Sequence, residues 1–225
     1  MLFLDLDLDF FLNDNAYGGE NARLGPEYRP WPVSRVRHFL GDRCGLSPES
    51  PVAGRTVTSH DEIIDFWRTL IESGRLKVPF EVIHVDAHPD LWAGGGLYRT
   101  SSYLYLEPGK RLAMLQTQEV NPGNYLTFAI AYGWIKSLIW VSLLRSSPRR
   151  PTWDADARSL SARLEEENAG SAANKDNGVF YRVLPWHEFR AGAAFDYMAL
   201  SKSPGFTPPA SDALVPVIEG YMRQI

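Results

Sequence analysis

The first eleven residues, MLFLDLDLDFF, place aspartates at positions 5, 7 and 9 among leucine and phenylalanine. Alternate side chains of a strand share one face, so this pattern predicts a strand over residues 2–9 with three carboxylates on one side. Neighbouring carboxylates on that face lie roughly 7 Å apart and repel by about 2 kcal/mol at an effective dielectric near 20. A solvated edge strand tolerates this arrangement, and a divalent cation explains it, because cations keep clustered carboxylates ionised.

A second motif favours the cation. The segment VIHVDAHPDLW holds Asp86, His88 and Asp90 in a D-x-H-x-D array at the end of a predicted strand. Alternate spacing directs the three side chains to one side, where they offer oxygen and nitrogen ligands without thiolate. That ligand set favours Mn²⁺, with Fe²⁺, Co²⁺ and Zn²⁺ as alternatives and Ca²⁺ less suitable.

Two further histidines are connected with this motif. His60 follows Ser59 in the first turn of a predicted helix, where the helix dipole favours the neutral imidazole that a metal ligand requires. A capping or surface histidine is the alternative. His84 lies deeper on the strand that leads to Asp86, as an outer partner of the ligands or as a packed core histidine.

The segment QEVNPGNYL contains the candidates for substrate binding. Asn124 precedes a predicted helix, so capping that helix is its ordinary role, and a polar contact with substrate is the alternative for it and for Asn121. Glu119 is placed either to pair with a cationic substrate or to remain exposed before the turn.

The rest of the chain alternates predicted helices and strands. Ser59 and Glu62 form a capping box for a helix that ends near Gly74, while residues 44–58 resemble a loop. Further helices are predicted in PVSRVRHFLG, NYLTFAIAYGWI, DADARSLSARLEEEN and SDALVPVIEGYM, and strands in FEVIHVDAHPD, SLIWVSL, GVFYRVL and FDYMAL. This alternation predicts a three-layer αβα domain with a largely parallel sheet and a site beyond the carboxyl ends of its strands.

Composition narrows the classes of function. The 225 residues and 44% apolar content suit one domain spanning residues 1–225. A net charge of −4 argues against a nucleic-acid partner, which requires a basic surface. Because the only cysteine is Cys44 and no apolar segment reaches membrane-spanning length, we expect a cytoplasmic protein without a membrane partner. The oligomeric state stays open.

Together the motifs resemble those of the ureohydrolase (arginase and agmatinase) superfamily. VDAHPDL is similar to its D-A-H-x-D segment, LDLDLDFF to its D-x-D segment, and His60 in TSHDEI to its remaining histidine ligand. Here D-x-D comes first, and a late segment, MALSKSPGFTPP, resembles the usual D-x-D segment with its acids missing. That order resembles small atypical peptide arginases, which convert arginine in ribosomally made precursor peptides to ornithine.

The resemblance implies an arginase/deacetylase-like fold and a site for two Mn²⁺ ions. Asp86 and one N-terminal aspartate would bridge the ions, His60 and Asp90 would complete one, and His88 with another N-terminal aspartate the other. Asp7 and Asp9 are the favoured pair, which makes Asp5 a deeper carboxylate, and the pair Asp5 and Asp7 stays open. Asp90 would also transfer a proton to the departing amine.

Three other interpretations of the motifs compete with a peptide arginase. The same site would suit free arginine, agmatine or another small guanidino compound, although the glycine-rich LWAGGGLYRTSS favours a substrate without free α-groups. An N-terminal hhhDxDx strand also resembles haloacid-dehalogenase phosphatases, whose chemistry D-A-H-P-D does not supply. A metal-binding module without catalysis is the third class. The resemblance leaves the proton shuttle undefined, because no histidine lies between His88 and His187.

Overall fold

The structure is a computed structural model that describes residues 1–16, 22–92, 103–104, 106–143 and 178–225. The strands are β1 Leu2–Asp7, β2 Val52–Val57, β3 Phe80–Val85, β4 Ile135–Ser142, β5 Phe180–Pro185, β6 Tyr197–Ser201 and β7 Met222–Gln224. The α-helices are α1 Val33–His38, α2 Ile63–Glu72, α3 Pro108–Leu115, α4 Tyr125–Ala131 and α5 Val215–Glu219. The predicted helix DADARSLSARLEEEN and residues 93–102 of the glycine-rich segment lie outside the described residues.

All seven strands pair in one parallel sheet with the order β5-β4-β3-β1-β6-β2-β7. After β1 the chain moves to one side of the sheet to form β2, and it then crosses to the other side to form β3. The carboxyl ends of β1 and β3 therefore lie beside each other where the direction of winding reverses, which is where α/β sheets bind ligands. The predicted α/β class with a parallel sheet is confirmed.

Helices cover both faces of the sheet. Phe3, Val82 and Trp140 project to one face, where they pack with α2 and α4 in a buried apolar cluster. Leu4 and Val85 project to the other face and pack with residues of α1 and α5. The helical layers on the two faces give three layers, as the alternating pattern predicted. No helix in the described ranges combines the length and apolar character that crossing a membrane requires.

Most predicted elements are present, and the differences of most consequence lie in the first strand, residues 44–58 and the C-terminal segment. The first strand ends at Asp7 rather than residue 9, because the Asp7 carboxylate accepts a hydrogen bond from the Asp9 backbone N–H (3.0 Å) and starts the 3-10 turn Leu8–Phe11. The loop predicted over residues 44–58 is wrong, since it contains strand β2. The C-terminal helix prediction is too long, because a 3-10 segment, Pro209–Leu214, precedes α5 and β7 follows it.

Candidate metal centre

Three chain segments meet at the carboxyl ends of β1 and β3. Asp7 is the last residue of β1, and Asp86 follows β3 directly, with Leu6 and Val85 in register between the two strands. His60 comes from the 3-10 turn that leads into α2, where the predicted capping box of Ser59 and Glu62 forms. The Ser59 backbone N–H donates to Glu62 Oε1 at 3.2 Å, which fixes the turn and with it the imidazole.

The first group of potential ligands surrounds His60 Nδ1. Carboxylate oxygens of Asp7, Asp86 and Asp90 each lie 3.0 Å from this nitrogen. All four side chains are buried, and neither His60 Nδ1 nor Asp86 Oδ2 has a hydrogen-bond partner among the described residues. Buried polar atoms without partners are costly, so three oxygens and one nitrogen that converge in this way fit a cation between them.

A second group lies on the other side of Asp86. His88 Nδ1 is 3.0 Å from Asp9 Oδ2 and 3.6 Å from Asp86 Oδ1. Since Asp86 Oδ2 faces His60 and Asp86 Oδ1 faces His88, one carboxylate is shared between the two groups. These buried histidine and aspartate clusters can hold a metal ion.

Both ligand histidines are oriented by their second ring nitrogen. His60 Nε2 is 2.9 Å from Asp5 Oδ1, and His88 Nε2 is 2.8 Å from the Ala16 carbonyl oxygen. A ring nitrogen that donates to a carboxylate or carbonyl leaves Nδ1 with its lone pair in the neutral imidazole. This pairing of imidazole with an outer acceptor is typical of metal-binding histidines.

Asp5 lies beneath these residues, and both of its carboxylate oxygens have hydrogen-bond partners. Its Oδ2 accepts hydrogen bonds from the Tyr125 hydroxyl and from His84 Nδ1, the latter at 3.2 Å. His84 Nε2 in turn donates to the His88 carbonyl at 3.0 Å. Asp5 therefore lies behind the centre, and Asp7 and Asp9 are the N-terminal aspartates that face it.

The pKa values reflect an excess of buried negative charge. Burial, together with the charges of Asp7 and Asp86, raises the pKa of Asp9 well above its usual range. Burial and Asp86 likewise raise the pKa of Asp90 to about 7. Burial alone would lower the pKa of His88, but the carboxylates of Asp9 and Asp86 outweigh it and raise that pKa well above its ordinary value.

Within the part of the chain that the structure describes, neither lysine nor arginine offsets this charge. Across the described ranges, the ion-pair partners of the five buried carboxylates are histidines, with neither lysine nor arginine among them. Buried carboxylates are ordinarily paired or bound to metal. The centre therefore attracts cations, and in their absence its histidines take up protons.

Backbone strain is concentrated at the same place. Among the described residues other than glycine, only Asp90 (φ 46°) and Ser203 (φ 40°) have positive φ. Both are buried, and Ser203 Oγ donates to Asp7 Oδ2 at 2.5 Å. Left-handed backbone at such residues persists where the surroundings enforce it, which is common at functional sites.

The candidate substrate residues take part in one turn, and their contact with substrate stays a prediction. Asn124 Oδ1 accepts from the Asn121 backbone N–H (2.8 Å), and its Nδ2 donates to the Glu119 carbonyl (2.9 Å). Asn121 also donates to that carbonyl, and its Oδ1 accepts from Gly123. These hydrogen bonds hold the turn before α4, and none joins it to the carboxylates. Asn124 is at the predicted cap position but does not cap the helix with its side chain.

Sequence reasoning did not identify three residues of this region. Tyr125 and Ser203 carry hydroxyls that hydrogen-bond to Asp5 and Asp7, yet neither belongs to a metal-ligand pattern. Asn15 is buried, and its Nδ2 donates to the Ala87 carbonyl at 3.2 Å, while its Oδ1 has no partner within the described ranges. Of these three residues, only Ser203 had a sequence signal. It lies in MALSKSPGFTPP, which resembles a D-x-D segment whose acids are missing.

Comparison of the chain with protein-family models, curated proteins and solved structures finds no match. The resemblance to ureohydrolases therefore depends on the motif residues alone. The geometry around Asp86 and His60 bears on the metal centre independently of any relative.

Proposed function

We propose that this protein is a hydrolase with a binuclear metal centre that converts peptidyl arginine to peptidyl ornithine and releases urea. The observation that carries the proposal is the shared carboxylate of Asp86, which faces an unpartnered His60 Nδ1 on one side and His88 Nδ1 on the other. One ion would be held by His60, Asp7, Asp86 and Asp90, and the other by Asp9, Asp86 and His88. Mn²⁺ suits these oxygen and imidazole ligands.

The acceptor atoms of the centre favour a cationic substrate. Five buried carboxylates bring five negative charges; two divalent ions would bring four positive charges, and His84, whose two ring nitrogens both donate, brings a fifth, while His60 and His88 would be neutral as ligands. The centre would then be close to neutral, and its carboxylate oxygens, which only accept hydrogen bonds, suit the N–H groups of a guanidinium better than the oxygens of a phosphate ester. This argument supports a guanidino substrate over the phosphatase alternative.

Asn15 offers a complementary contact. Its Oδ1 is a buried acceptor without a partner, and its Nδ2 is bonded to Ala87, which lies between the ligands Asp86 and His88. An acceptor in that place suits the N–H groups of a guanidinium better than the oxygens of a phosphate. The peptide as substrate rests on the order of the motifs, which resembles that of the peptide arginases.

The reaction consumes one water molecule. Water oxygen bonds to the guanidinium carbon, the bond from that carbon to the side-chain nitrogen breaks, and the products are urea and an alkylammonium group. Bound divalent ions supply Lewis acidity and make water a nucleophile near neutral pH. Asp90, which is buried at the centre, would carry a proton to the departing nitrogen.

The test measures urea release and peptide mass. Protein loaded with Mn²⁺ is incubated with arginine-containing peptides, and mass spectrometry follows the conversion of guanidine to amine. We expect conversion by the wild type and by Asp65→Asn, which alters an exposed aspartate paired with Arg68. Asp86→Asn should lower the rate by at least about 10³-fold, because it removes the carboxylate common to both ligand groups.

Other outcomes assign other functions. Turnover of free arginine or agmatine alone would make the protein a ureohydrolase of small guanidino compounds. Hydrolysis of phosphate esters without urea release would contradict the proposal. Tight binding of Mn²⁺ without turnover of any of these substrates would favour a metal-binding module.

A further inference from the structure

Ser203 has a conformation that its side chain alone does not favour. It follows β6 with φ 40° and ψ 62°, a region that serine rarely adopts, and its side chain is buried. The surrounding backbone holds it there, since its N–H donates to the Thr58 carbonyl at 3.0 Å. Its own carbonyl accepts from Phe206 N–H at 2.8 Å and from the Thr207 hydroxyl at 3.1 Å.

This conformation brings the serine hydroxyl to the metal centre. Ser203 Oγ donates to Asp7 Oδ2 at 2.5 Å and lies 2.9 Å from Ser201 Oγ. Asp7 Oδ2 is the same oxygen that faces His60 Nδ1 at 3.0 Å, while Asp7 Oδ1 accepts from Asp9 N–H. Both oxygens of Asp7 are therefore fixed, one by its own turn and one by Ser203.

We propose that Ser203 is a positioning residue that holds the Asp7 carboxylate in the orientation needed to bind the ion shared with His60. A hydroxyl suits this task because it donates a hydrogen bond without neutralising the carboxylate, as lysine or arginine would. Because its backbone is left-handed, Ser203, two residues after the end of β6, directs its Oγ toward Asp7 at the end of the neighbouring strand β1. The inference rests on the metal centre of the proposed function and is independent of its substrate.

Two substitutions distinguish the effect of the Ser203 hydroxyl from the effect of its backbone conformation. Ser203→Gly removes the hydroxyl and relieves the left-handed conformation, whereas Ser203→Ala removes the hydroxyl and keeps the strain. Ser211→Ala is the matched control, since Ser211 is also buried but its hydroxyl has no partner. Binding of Co²⁺ is titrated by its visible absorption spectrum, and thermal unfolding is measured in chelator to report the stability of the metal-free protein.

We expect both Ser203 variants to bind Co²⁺ about 10- to 100-fold more weakly than the wild type, with an altered spectrum. Ser203→Gly should do so although its metal-free stability is at least that of Ser203→Ala. Ser211→Ala should bind as the wild type does. Asp7→Ser combined with Ser203→Asp, which returns a carboxylate across the 2.5 Å contact, should recover part of the affinity lost in Asp7→Ser.

Wild-type affinity and spectrum in both Ser203 variants would overturn the inference, whatever their unfolding temperatures, as would a wild type that binds no Co²⁺. Absence of urea release from wild-type protein that binds Co²⁺ would contradict the proposed function and leave the role of Ser203 supported. A merely structural serine would change the unfolding temperature and leave the Co²⁺ spectrum unaltered.

Discussion

At the scale of single residues, the arrangement of His60 has the greatest consequence. Its Nε2 is bonded to Asp5, and its Nδ1 faces three carboxylates at 3.0 Å. A charged acceptor behind an imidazole raises the electron density of the nitrogen in front, which strengthens its bond to a cation. Asp5 thus affects the centre without facing it.

We expect Asp5→Asn to weaken Mn²⁺ binding by about 10- to 100-fold, because the amide keeps the shape of the side chain and loses its charge. Isothermal titration of the metal-free protein with Mn²⁺ measures the effect. Asp196→Asn, which changes a carboxylate far from the centre that accepts a hydrogen bond from the Leu2 N–H, is the control. An unchanged dissociation constant in Asp5→Asn would contradict the role given to this carboxylate.

The clustering of aspartate and histidine at this edge of the sheet was predictable from sequence, because most of these residues have local spacing. Asp86, His88 and Asp90 share a short segment, and that segment meets Asp7 through the pairing of β1 with β3. The contacts of Asn15 and Ser203 were not predictable, because each joins residues that are far apart in the chain. The role of Asn124 was not predictable for another reason. A polar residue before a helix has the same sequence signal whether it stabilises a turn or binds a substrate.

At the scale of elements, the end of β1 determines which side chains enter the site. A period of two predicts the same face for residues 5, 7 and 9, but the 3-10 turn after Asp7 places Asp9 toward His88 instead. Periodicity does not reveal this turn, because it depends on the hydrogen bond from Asp9 N–H to the Asp7 carboxylate. Strand β2 was not predicted for another reason. Its sequence, VAGRTV, is partly exposed and does not alternate between apolar and polar residues.

Gly54 in β2 allows a close approach between β2 and β6. A Cβ on this residue would lie 2.3 Å from the Met198 carbonyl oxygen of β6, so backbone must move to admit it. Gly54→Ala should lower the free energy of unfolding by about 1–3 kcal/mol, measured by urea denaturation. Gly109→Ala in α3, where a Cβ meets nothing within 4 Å, should raise it by about 0.4–1 kcal/mol. Equal effects of the two substitutions would contradict this packing.

At the scale of the whole molecule, the site lies where the winding of the sheet reverses. Alternating strands and helices predicted the parallel sheet and the edge at which ligands bind, since these follow from general rules of chain handedness. The sequence did not predict the strand order, because β6 inserts between β1 and β2 through contacts made late in the chain. The arginase-like fold stays a prediction.

Bound metal should stabilise the entire domain. An ion that binds only the folded state adds about 2.7 kcal/mol at 100 times its dissociation constant, which corresponds to roughly 5–10 °C in a chain of this size. We therefore expect calorimetry to show a fall of that order in the unfolding temperature when EDTA replaces Mn²⁺. Asp86→Asn, which lacks the shared carboxylate, should respond by less than about 2 °C. An equal fall in the unfolding temperature of the wild type and Asp86→Asn would show that Mn²⁺ binds at a site without Asp86.

The position of β1 between β3 and β6 has a consequence for biosynthesis. A ribosome makes Asp7 long before its neighbours Ser201 and Ser203, which follow nearly two hundred residues later. Until β6 is synthesised, one side of β1 has no partner, and an open apolar strand edge is prone to aggregation. The candidate metal centre is therefore completed late in the synthesis of the chain, and chains that stop before β6 are expected to need chaperones or to be degraded.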